Sequence, residues 1–342
     1  MKRTTIAIDL AKSVFEVAVS DRPGRVAERH RLSRSRLLPF LAAKSPATVL
    51  LEACGSSHYW AREIQRFDHR VLLLPPHITR KYVHRDKTDR SDAKALLEAY
   101  RNKEIRPVPV KSVPQQALAS LHRLRSAWLS ARTARLNTLR GLLREFGLTI
   151  PVGARNVLPR LTLLLGDAEA PLPDLMRPAL AETVQEIRDL EQRIRKIELQ
   201  LRSLASQIPT AARLETVPGI GLLTATALVA MVGDIRRFPS ARHFASYIGL
   251  TPKEHSSGSR RRLGAISKRG DIYMRMLLIH GARATLNAAK SHPQPDRLRA
   301  WALQIQRLRG HNRAAVALAN KMARVAWAVW RNETDYHGSK AA

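Results

Sequence analysis

Four acidic residues in the first hundred positions lie where their carboxylates could share divalent metal ions. Asp9 and Glu52 each end a short run of apolar and β-branched residues, which predicts that both stand where a strand leaves its sheet. Asp89 and Asp92 are three residues apart at the start of a predicted helix, so they share one of its faces. Mg²⁺ or Mn²⁺ takes several oxygen ligands, and a pair of such ions supports phosphoryl transfer. The pattern therefore predicts a metal-dependent catalytic site on these four carboxylates.

Simpler explanations exist for two of the four. Asp89 could cap the N-terminus of its helix, and Asp92 could be a favourable charge in the first turn. Asp9 and Glu52 are harder to explain in this way, because an acidic residue that follows a buried strand needs a partner or a metal ion. The metal site is therefore the favoured interpretation of the four together.

A second set of candidate residues lies in the stretch 249–283. Its serine-glycine segment predicts a flexible loop, and a hydroxyl there could attack a phosphodiester only with help from a base or a metal. Ser256, Ser257 and Ser259 are the candidate nucleophiles, and His255 is the one nearby side chain that could act as a base. The cationic residues of the stretch predict phosphate contacts that do not read bases, and they are Lys253, Arg260, Arg261, Arg262, Lys268, Arg269 and Arg275.

Residues 214–234 predict two helices joined by the turn Pro218-Gly219-Ile220-Gly221, as in a helix-hairpin-helix. Gly219 and Gly221 would let backbone N–H groups approach a phosphate, and the N-terminus of the following helix would add partial positive charge. A plain glycine-containing turn between two helices is the alternative.

The elements that must position the carboxylates follow the order β-β-β-α-β-α-β-α. Strands are predicted at 4–10, 14–20, 25–31, 48–51 and 71–74, and helices at 35–43, at 58–67 and from about 77 and 91. A turn at Pro23-Gly24 joins the second strand to the third. The order predicts an α/β domain of RNase H-like fold, whose mixed sheet brings the ends of its first and fourth strands together. Pro107, Pro109 and Pro114 mark a linker, so this domain is placed at residues 1–106.

Residues 107–209 are predicted to form a helical arm. A helix over 117–146 is followed by an irregular stretch at 151–178 and then by a heptad pattern. The a and d positions of that pattern are Ile187, Leu190, Ile194, Ile197, Leu201, Leu204 and Ile208. The pattern predicts a coiled coil that joins subunits into a dimer or tetramer, or a helix packed on 117–146 of its own chain, or both. Residues 210–335 form a third, helical domain, with a helical segment over 298–331.

Composition indicates a polyanionic partner. Lys and Arg number 59 against 28 Asp and Glu, a formal net charge of +31, which is far more than solubility needs. The longest apolar stretch, at 222–232, is shorter than the roughly 20 residues that span a bilayer, and Asp9 and Lys12 interrupt what would be the core of a signal peptide. The lone cysteine, Cys54, excludes an internal disulfide and a cysteine-rich zinc site, so it is interpreted as a packing residue. We expect a cytoplasmic, nucleoid-associated protein that binds nucleic acid and no membrane.

Short motifs in both halves of the chain resemble one known family. Asp9 to Lys12, Leu51-Glu52-Ala53 and Lys87 to Ala93 are similar to motifs of the DEDD-type transposases of bacterial insertion sequences. The stretch around Ser257 resembles the transposase domain of the same family. The resemblance therefore extends over nearly the whole chain.

This resemblance implies a site-specific DNA recombinase with a RuvC-like domain, guided by a structured bridge RNA to donor and target DNA. It implies Mg²⁺ on the four carboxylates and Ser257 as the nucleophile, with the adjacent Ser256 leaving the alignment ambiguous by one residue. It also implies a composite active site, in which the serine loop of one subunit meets the metal site of another. Lys12, within the first motif, is expected to contact nucleic acid.

Two other functions fit the same residues. A structure-selective nuclease, such as a junction resolvase, would use the carboxylates to activate water in place of serine. A non-catalytic DNA- or RNA-binding protein would need the basic charge and none of the carboxylates. With aromatic residues at 5%, shape and phosphate contacts are expected to matter more than base stacking for RNA binding.

Overall fold

The computed structural model describes residues 4–22, 25–83, 89–291 and 296–338, and of Asp89 and Arg90 only the backbone. Contacts between residues divide the chain into two compact units, Met1–Val113 and Pro114–Ala342. The predicted first domain falls in the first unit. The predicted arm, from residue 114 on, and the predicted C-terminal domain fall in the second.

The first unit is built on a five-stranded mixed sheet with the order β3-β2-β1-β4-β5. Its elements are β1 (Thr5–Leu10), β2 (Val14–Ser20), β3 (Glu28–Ser33), α1 (Leu37–Ala42), β4 (Thr48–Glu52), α2 (Ser57–Gln65), β5 (Arg70–Leu74), α3 (Pro76–Thr79) and α4 (Asp89–Arg101). Strands β1 to β3 form an antiparallel meander, β4 pairs parallel to β1, and β5 pairs parallel to β4. The predicted order of strands and helices is confirmed. The turn predicted at Pro23-Gly24 lies outside the described residues.

The two central strands, β1 and β4, are apolar along most of their length because helices cover both faces of the sheet. On one face Ile6 of β1 packs with Trp60 of α2, and on the other Ala7 packs with Leu96 of α4. With both faces covered, the ends of these strands are the places where polar side chains can emerge from the sheet.

The second unit is helical with one β-hairpin. Its elements are α5 (Val113–Glu145), α6 (Val157–Gly166), α7 (Arg177–Ala205), α8 (Pro209–Glu215), α9 (Leu222–Val232), α10 (Ala241–Ile248), β6 (Pro252–Glu254), β7 (Leu263–Ile266), α11 (Ile272–Lys290), α12 (Arg297–Arg309) and α13 (His311–Asn332). The segment predicted as helical over 298–331 forms two helices, because the chain turns at Gly310.

The prediction that residues 151–178 are irregular is wrong over α6. Val157, Leu161 and Leu164 of this helix are buried in a cluster with side chains of α5 and α7. Pro159 lies in its first turn, where a missing N–H leaves no hydrogen bond unmade. Periodicity did not reveal α6, because a ten-residue segment with a proline shows too few helical repeats.

Helices α5 and α7 run antiparallel and pack on each other within one chain. The ion pairs that join them are Arg125–Glu198, Arg132–Glu191 and Arg135–Glu186. Of the heptad positions, Ile187 is buried with Leu136 of α5, and Ile197 and Leu201 are buried with Leu118. The structure therefore contains one of the predicted alternatives, the packing of α7 on α5 of its own chain. A coiled coil between subunits stays a prediction.

A buried polar cluster links α5 to α9 and α11. His122 is 1% exposed, and its ring nitrogens lie 3.0 Å from the Tyr273 hydroxyl and 3.0 Å from Thr226 Oγ1. Thr226 Oγ1 donates to the Leu222 carbonyl at 2.6 Å, so it accepts from the Nε2–H of His122, and Nδ1 accepts from Tyr273. Burial, and then the charge of Arg125, lower the pKa of His122 from 6.5 to about 4. The imidazole is thus held neutral.

Acidification is expected to destabilise this unit through His122. The unfolded chain takes up the proton near pH 6.5 and the folded chain only near pH 4, so the unfolded state binds more protons between those values. The free energy of unfolding should therefore be fully developed above pH 6.5 and fall as the pH decreases, by about 2 kcal/mol between pH 7 and pH 5. Urea unfolding at the two pH values measures this loss. The variant His122→Gln should lose clearly less, and an equal loss in both proteins would contradict the assignment.

Backbone hydrogen bonds close the base of the hairpin formed by β6 and β7, where it joins the helices of this unit. The Ser267 N–H donates to the Thr251 carbonyl at 2.8 Å, and the Lys268 N–H donates to the Gly249 carbonyl at 3.1 Å. Gly270, just beyond, has a φ of +82°, and a Cβ there would overlap the Tyr247 carbonyl oxygen. Glycine is therefore required at this position both by backbone conformation and by space.

Gly270→Ala is expected to lower the free energy of unfolding by about 3 kcal/mol, since left-handed backbone and overpacking each add a cost. Thermal unfolding of the full chain measures the change. Gly141→Ala is the matched control, because Gly141 lies in α5 with open space around it and alanine there should gain up to about 1 kcal/mol. An unchanged melting temperature for Gly270→Ala would mean that the hairpin base relaxes freely.

Candidate functional site

Three of the four predicted carboxylates, those of Asp9, Glu52 and Asp92, line one cavity of about 280 Å³ at the edge of the sheet. Asp9 lies near the end of β1, and Glu52 is the last residue of β4. The parallel register pairs Ile8 with Leu51, so the next residue of each strand, Asp9 and Glu52, follow side by side. Asp92 enters from the first turn of α4, which packs on β1. The fold therefore gathers residues that are 83 positions apart in the sequence.

The fourth predicted ligand, Asp89, is the first residue of α4, and its side chain lies outside the described part of the structure, as do Lys87 and Thr88. Among the described side chains, no set of three His, Cys, Asp or Glu residues is already arranged to hold a metal ion. The donor set nevertheless fits one, because carboxylate oxygens converging on a small cavity are what a hard divalent cation binds.

Arg80 also lines the acidic cavity, together with Cys54 and Ala95. It lies in a short 3-10 turn after α3, where no periodic pattern marks it, and sequence reasoning missed it. Its exposed guanidinium can meet the phosphate of a strand that enters the cavity. Cys54 is half-buried in the wall, consistent with a packing residue, and Lys12 is exposed just beyond β1.

The predicted serine loop is a β-hairpin with a two-residue turn. Ser257 and Arg260 exchange backbone hydrogen bonds of 3.3 and 3.1 Å across Gly258 and Ser259. Every residue from 252 to 265 is exposed. Ser257 therefore stands beside the tip of an exposed, hydrogen-bonded finger, where the sequence predicted a flexible loop.

The neighbouring hydroxyls of Ser256 and Ser257 have different surroundings. Ser256 Oγ donates to Glu254 Oε1 at 2.8 Å and accepts from the Arg262 N–H at 3.1 Å. The Ser257 hydroxyl makes no hydrogen bond within the part of the chain that the structure describes. The His255 N–H donates to the Arg262 carbonyl at 2.8 Å, and the His255 ring lies beside Gly264 of β7.

The cationic residues predicted to bind phosphate separate into two groups. Those on the hairpin or in the turn that follows it are exposed, and they are Lys253, Arg260, Arg261, Arg262, Lys268 and Arg269. Arg275 is instead buried, and its Nη1 donates at 3.0 Å to the carbonyls of Ile248 and Arg269. The prediction is wrong for Arg275, whose charge holds the hairpin base and cannot reach a phosphate.

The predicted turn of Pro218 to Gly221 joins α8 to α9. Gly219 has a φ of +85°, and a Cβ there would lie 2.8 Å from the carbonyl oxygen of Gly281 in α11. Gly221 is exposed at the start of α9, with nothing within 4 Å of an added Cβ. Close packing on α11 thus accounts for Gly219, and the open side of the turn is at Gly221. Phosphate contacts of both glycines stay predictions.

Two models of known families match the chain. Residues 6–147 match a model described as Transposase, of the DEDD-type IS110 group. Residues 211–296 match the Transposase IS116/IS110/IS902 family. The first match contains the acidic cavity, and the second contains the exposed hairpin.

Relatives of known name match along almost the whole chain. The chain is 43% identical to the "Probable family 20 transposase" of Pseudomonas aeruginosa, over 98% of this chain and 99% of the relative. It is 36% identical to the "Transposase for insertion sequence element IS1111A" of Coxiella burnetii, over 97% of this chain and 90% of the relative. The chain belongs to the IS110 family of transposases. The "Transposase for insertion sequence element IS1328" of Yersinia enterocolitica is similar too, at 37% identity over 95% of this chain and 96% of that protein.

Membership of the IS110 family supports a DNA-processing enzyme whose first unit is a DEDD domain, and this domain implies an RNase H-like fold and the use of divalent metal. It disfavours both the structure-selective nuclease and the non-catalytic binding protein. Within the described residues, no helix combines the length and apolar character that a membrane span requires.

Proposed function

We propose that this IS110-family transposase cuts and rejoins DNA through the hydroxyl of Ser257, with Mg²⁺ held by Asp9, Glu52, Asp89 and Asp92. The observation that supports the proposal is the convergence of three of those carboxylates on one cavity, in a chain whose full-length relatives are named transposases. The experiment that tests it is the trapping of a covalent protein–DNA adduct on a denaturing gel, with wild type and Ser257→Ala compared.

Each step of the proposed reaction breaks one phosphorus–oxygen bond and forms another, so no further reactant is needed. Ser257 Oγ attacks the phosphorus of a phosphodiester, a bond from phosphorus to one deoxyribose oxygen breaks, and the serine proton passes to that departing oxygen. A hydroxyl of a second DNA end then attacks the phosphoserine, which restores a phosphodiester and returns a proton to Ser257. Asp9, Glu52, Asp89 and Asp92 would hold a divalent cation, which would supply positive charge to the phosphate oxygens.

The surroundings of the two serines favour Ser257 over Ser256 as the nucleophile. The Ser256 hydroxyl is held in the hairpin by Glu254 and by the Arg262 N–H, whereas that of Ser257 is accessible beside the turn. His255, two residues before Ser257, is proposed to assist as a base.

The exposed cations are proposed to hold DNA and RNA by their phosphates. Lys12 serves the acidic cavity in this proposal, and the turn at Gly219 and Gly221 adds backbone N–H groups. Guidance by a bridge RNA rests on the resemblance and on the surplus positive charge of the chain. Its test is the DNA that flanks the gene, where a structured non-coding stretch with loops complementary to the junctions of the element is expected.

A further inference from the structure

A wide groove lies between the hairpin and helix α13, with a volume of about 1050 Å³. Leu250, Leu263, Ile266 and Val316 give it apolar walls, and Ala317 lies in its lining. Leu263 is 50% exposed, so a large apolar side chain faces solvent here. None of the residues that line the groove is acidic.

One end of this groove carries a cluster of arginines from separate elements. A second cavity of about 400 Å³ is lined by Arg242 of α10, Arg261 of the hairpin and Arg324 of α13, and it shares Arg324 and Asn320 with the groove. Arg261 pairs with Glu254 at 3.5 Å. Within the described part of the chain, neither Arg242 nor Arg324 has an acidic partner. Two guanidinium groups without counter-charge, with a third beside them, form a site for an anion, and their planar forks suit phosphate.

Asn320 lines both cavities. Its Nδ2 donates to the Leu250 carbonyl at 3.0 Å, which holds the amide and leaves its oxygen as an acceptor. A phosphate site, an apolar wall and a fixed hydrogen-bonding group therefore lie next to one another. This combination matches a nucleotide with its base out of the stack, since a paired base cannot present its face to a protein wall.

We propose that the groove binds an unpaired segment of nucleic acid, with phosphates on Arg242, Arg261 and Arg324 and a base against the apolar wall. The inference deepens the proposed function and rests on it only for the identity of the polyanion. Arg242 and Arg324 lie on helices outside the hairpin that carries Ser257. The occupant is a single strand, because the charge of the rim suits no apolar peptide and the apolar wall adds nothing to a duplex.

The test measures binding without cleavage, by fluorescence anisotropy of the full chain with a labelled 20-nucleotide thymidine strand, its RNA counterpart and a duplex of equal length. Arg324→Ala and Arg242→Ala should each weaken single-strand binding about 10-fold. Each should also reduce the slope of log affinity against log salt concentration by about one, the value for one lost phosphate contact. Arg324→Lys, which keeps the charge, should recover only part of the loss. Arg66→Ala is the matched control, since Arg66 pairs with Glu63 on α2, and it should change binding less than about 2-fold.

A second variant tests the contact with the base separately from the contact with the phosphate. Ala317→Trp fills the groove without altering charge, and it should weaken binding of the intact single strand about 10-fold while leaving duplex binding within about 2-fold. Wild type should bind a strand with abasic sites more weakly than the intact strand, and Ala317→Trp should bind both alike. Circular dichroism verifies that each variant is folded.

Equal affinity of wild type and Ala317→Trp for the intact strand would overturn the proposal. So would a change in self-association of Ala317→Trp by sedimentation with unchanged strand binding, because the occupant would then be a second copy of the chain. The serine chemistry is measured by adduct formation on the gel and the groove by anisotropy, so a failure of one is distinguishable from a failure of the other.

Discussion

Ser257→Ala is expected to abolish the covalent attachment of this transposase to DNA. Ser257 is the proposed nucleophile, and its hydroxyl makes no hydrogen bond within the described residues, so its removal should cost about 10³-fold or more in strand cleavage. Labelled donor DNA, incubated with Mg²⁺ and the full chain, is resolved on a denaturing gel. Wild type should give a retarded band that protease treatment removes, and the variant should give none.

Two neighbouring serines provide matched controls for this experiment. Ser259→Ala changes the turn residue two positions after Ser257, and Ser256→Ala frees Glu254 from its hydrogen bond, yet both should retain the adduct. An adduct that survives in Ser257→Ala and is lost in Ser256→Ala would assign the nucleophile to Ser256. Free cut ends that Ser257→Ala leaves unchanged would show that water is the nucleophile, and the serine mechanism would be wrong.

Asp9→Asn and Glu52→Gln are each expected to reduce cleavage by about 10³-fold, because each removes a negative ligand from the cavity that is proposed to hold the metal. DNA binding should change less than about 2-fold, since one added positive charge is small beside a net charge of +31. Removal of divalent ions with a chelator should reproduce the loss in wild type. Glu63→Gln, on α2 and paired with Arg66, is the control that should cleave normally.

A mixture of two inactive proteins extends this prediction to the composite site. Asp9→Asn supplies an intact hairpin and Ser257→Ala supplies an intact acidic cavity, so subunits that combine the two should regain adduct formation. Recovery is expected on mixing, in proportion to the mixed oligomers formed. Full cleavage by Asp9→Asn alone would exclude Asp9 from the metal site.

The acidic site could be predicted from the sequence because its strands are covered on both faces. An apolar run of this kind makes a charged residue at its end stand out in the sequence, as Asp9 and Glu52 do. The parallel pairing of β1 with β4 then places Asp9 and Glu52 side by side. Asp92 required only that α4 begin close to its predicted position.

The hairpin could not be predicted in the same way. Its strands are exposed on both sides, so no alternation of apolar and polar residues marks them, and the serines and glycine between the arginines indicate only a turn. Backbone hydrogen bonds hold the hairpin, and every sequence can make these. Arg275 illustrates the same limit, because burial separates it from the exposed arginines and residue type does not.

The groove beside α13 depends on tertiary structure to a greater degree. Arg242, Arg261 and Arg324 come from an α-helix, a hairpin and another α-helix, and each looks alone like one more surface cation of a basic protein. A cluster assembled across more than 80 positions leaves no pattern in a single sequence. Their convergence appears only when the helices are packed.

The closed base of the hairpin has a consequence for how such a protein can diversify. Hydrogen bonds between Thr251 and Ser267 and between Gly249 and Lys268 fix the two ends of the finger, whatever residues lie between them. A segment attached in this way behaves as a cassette. The hairpin, with its proposed nucleophile, can be lengthened, shortened or exchanged for that of a relative, while the helices that carry it keep their packing.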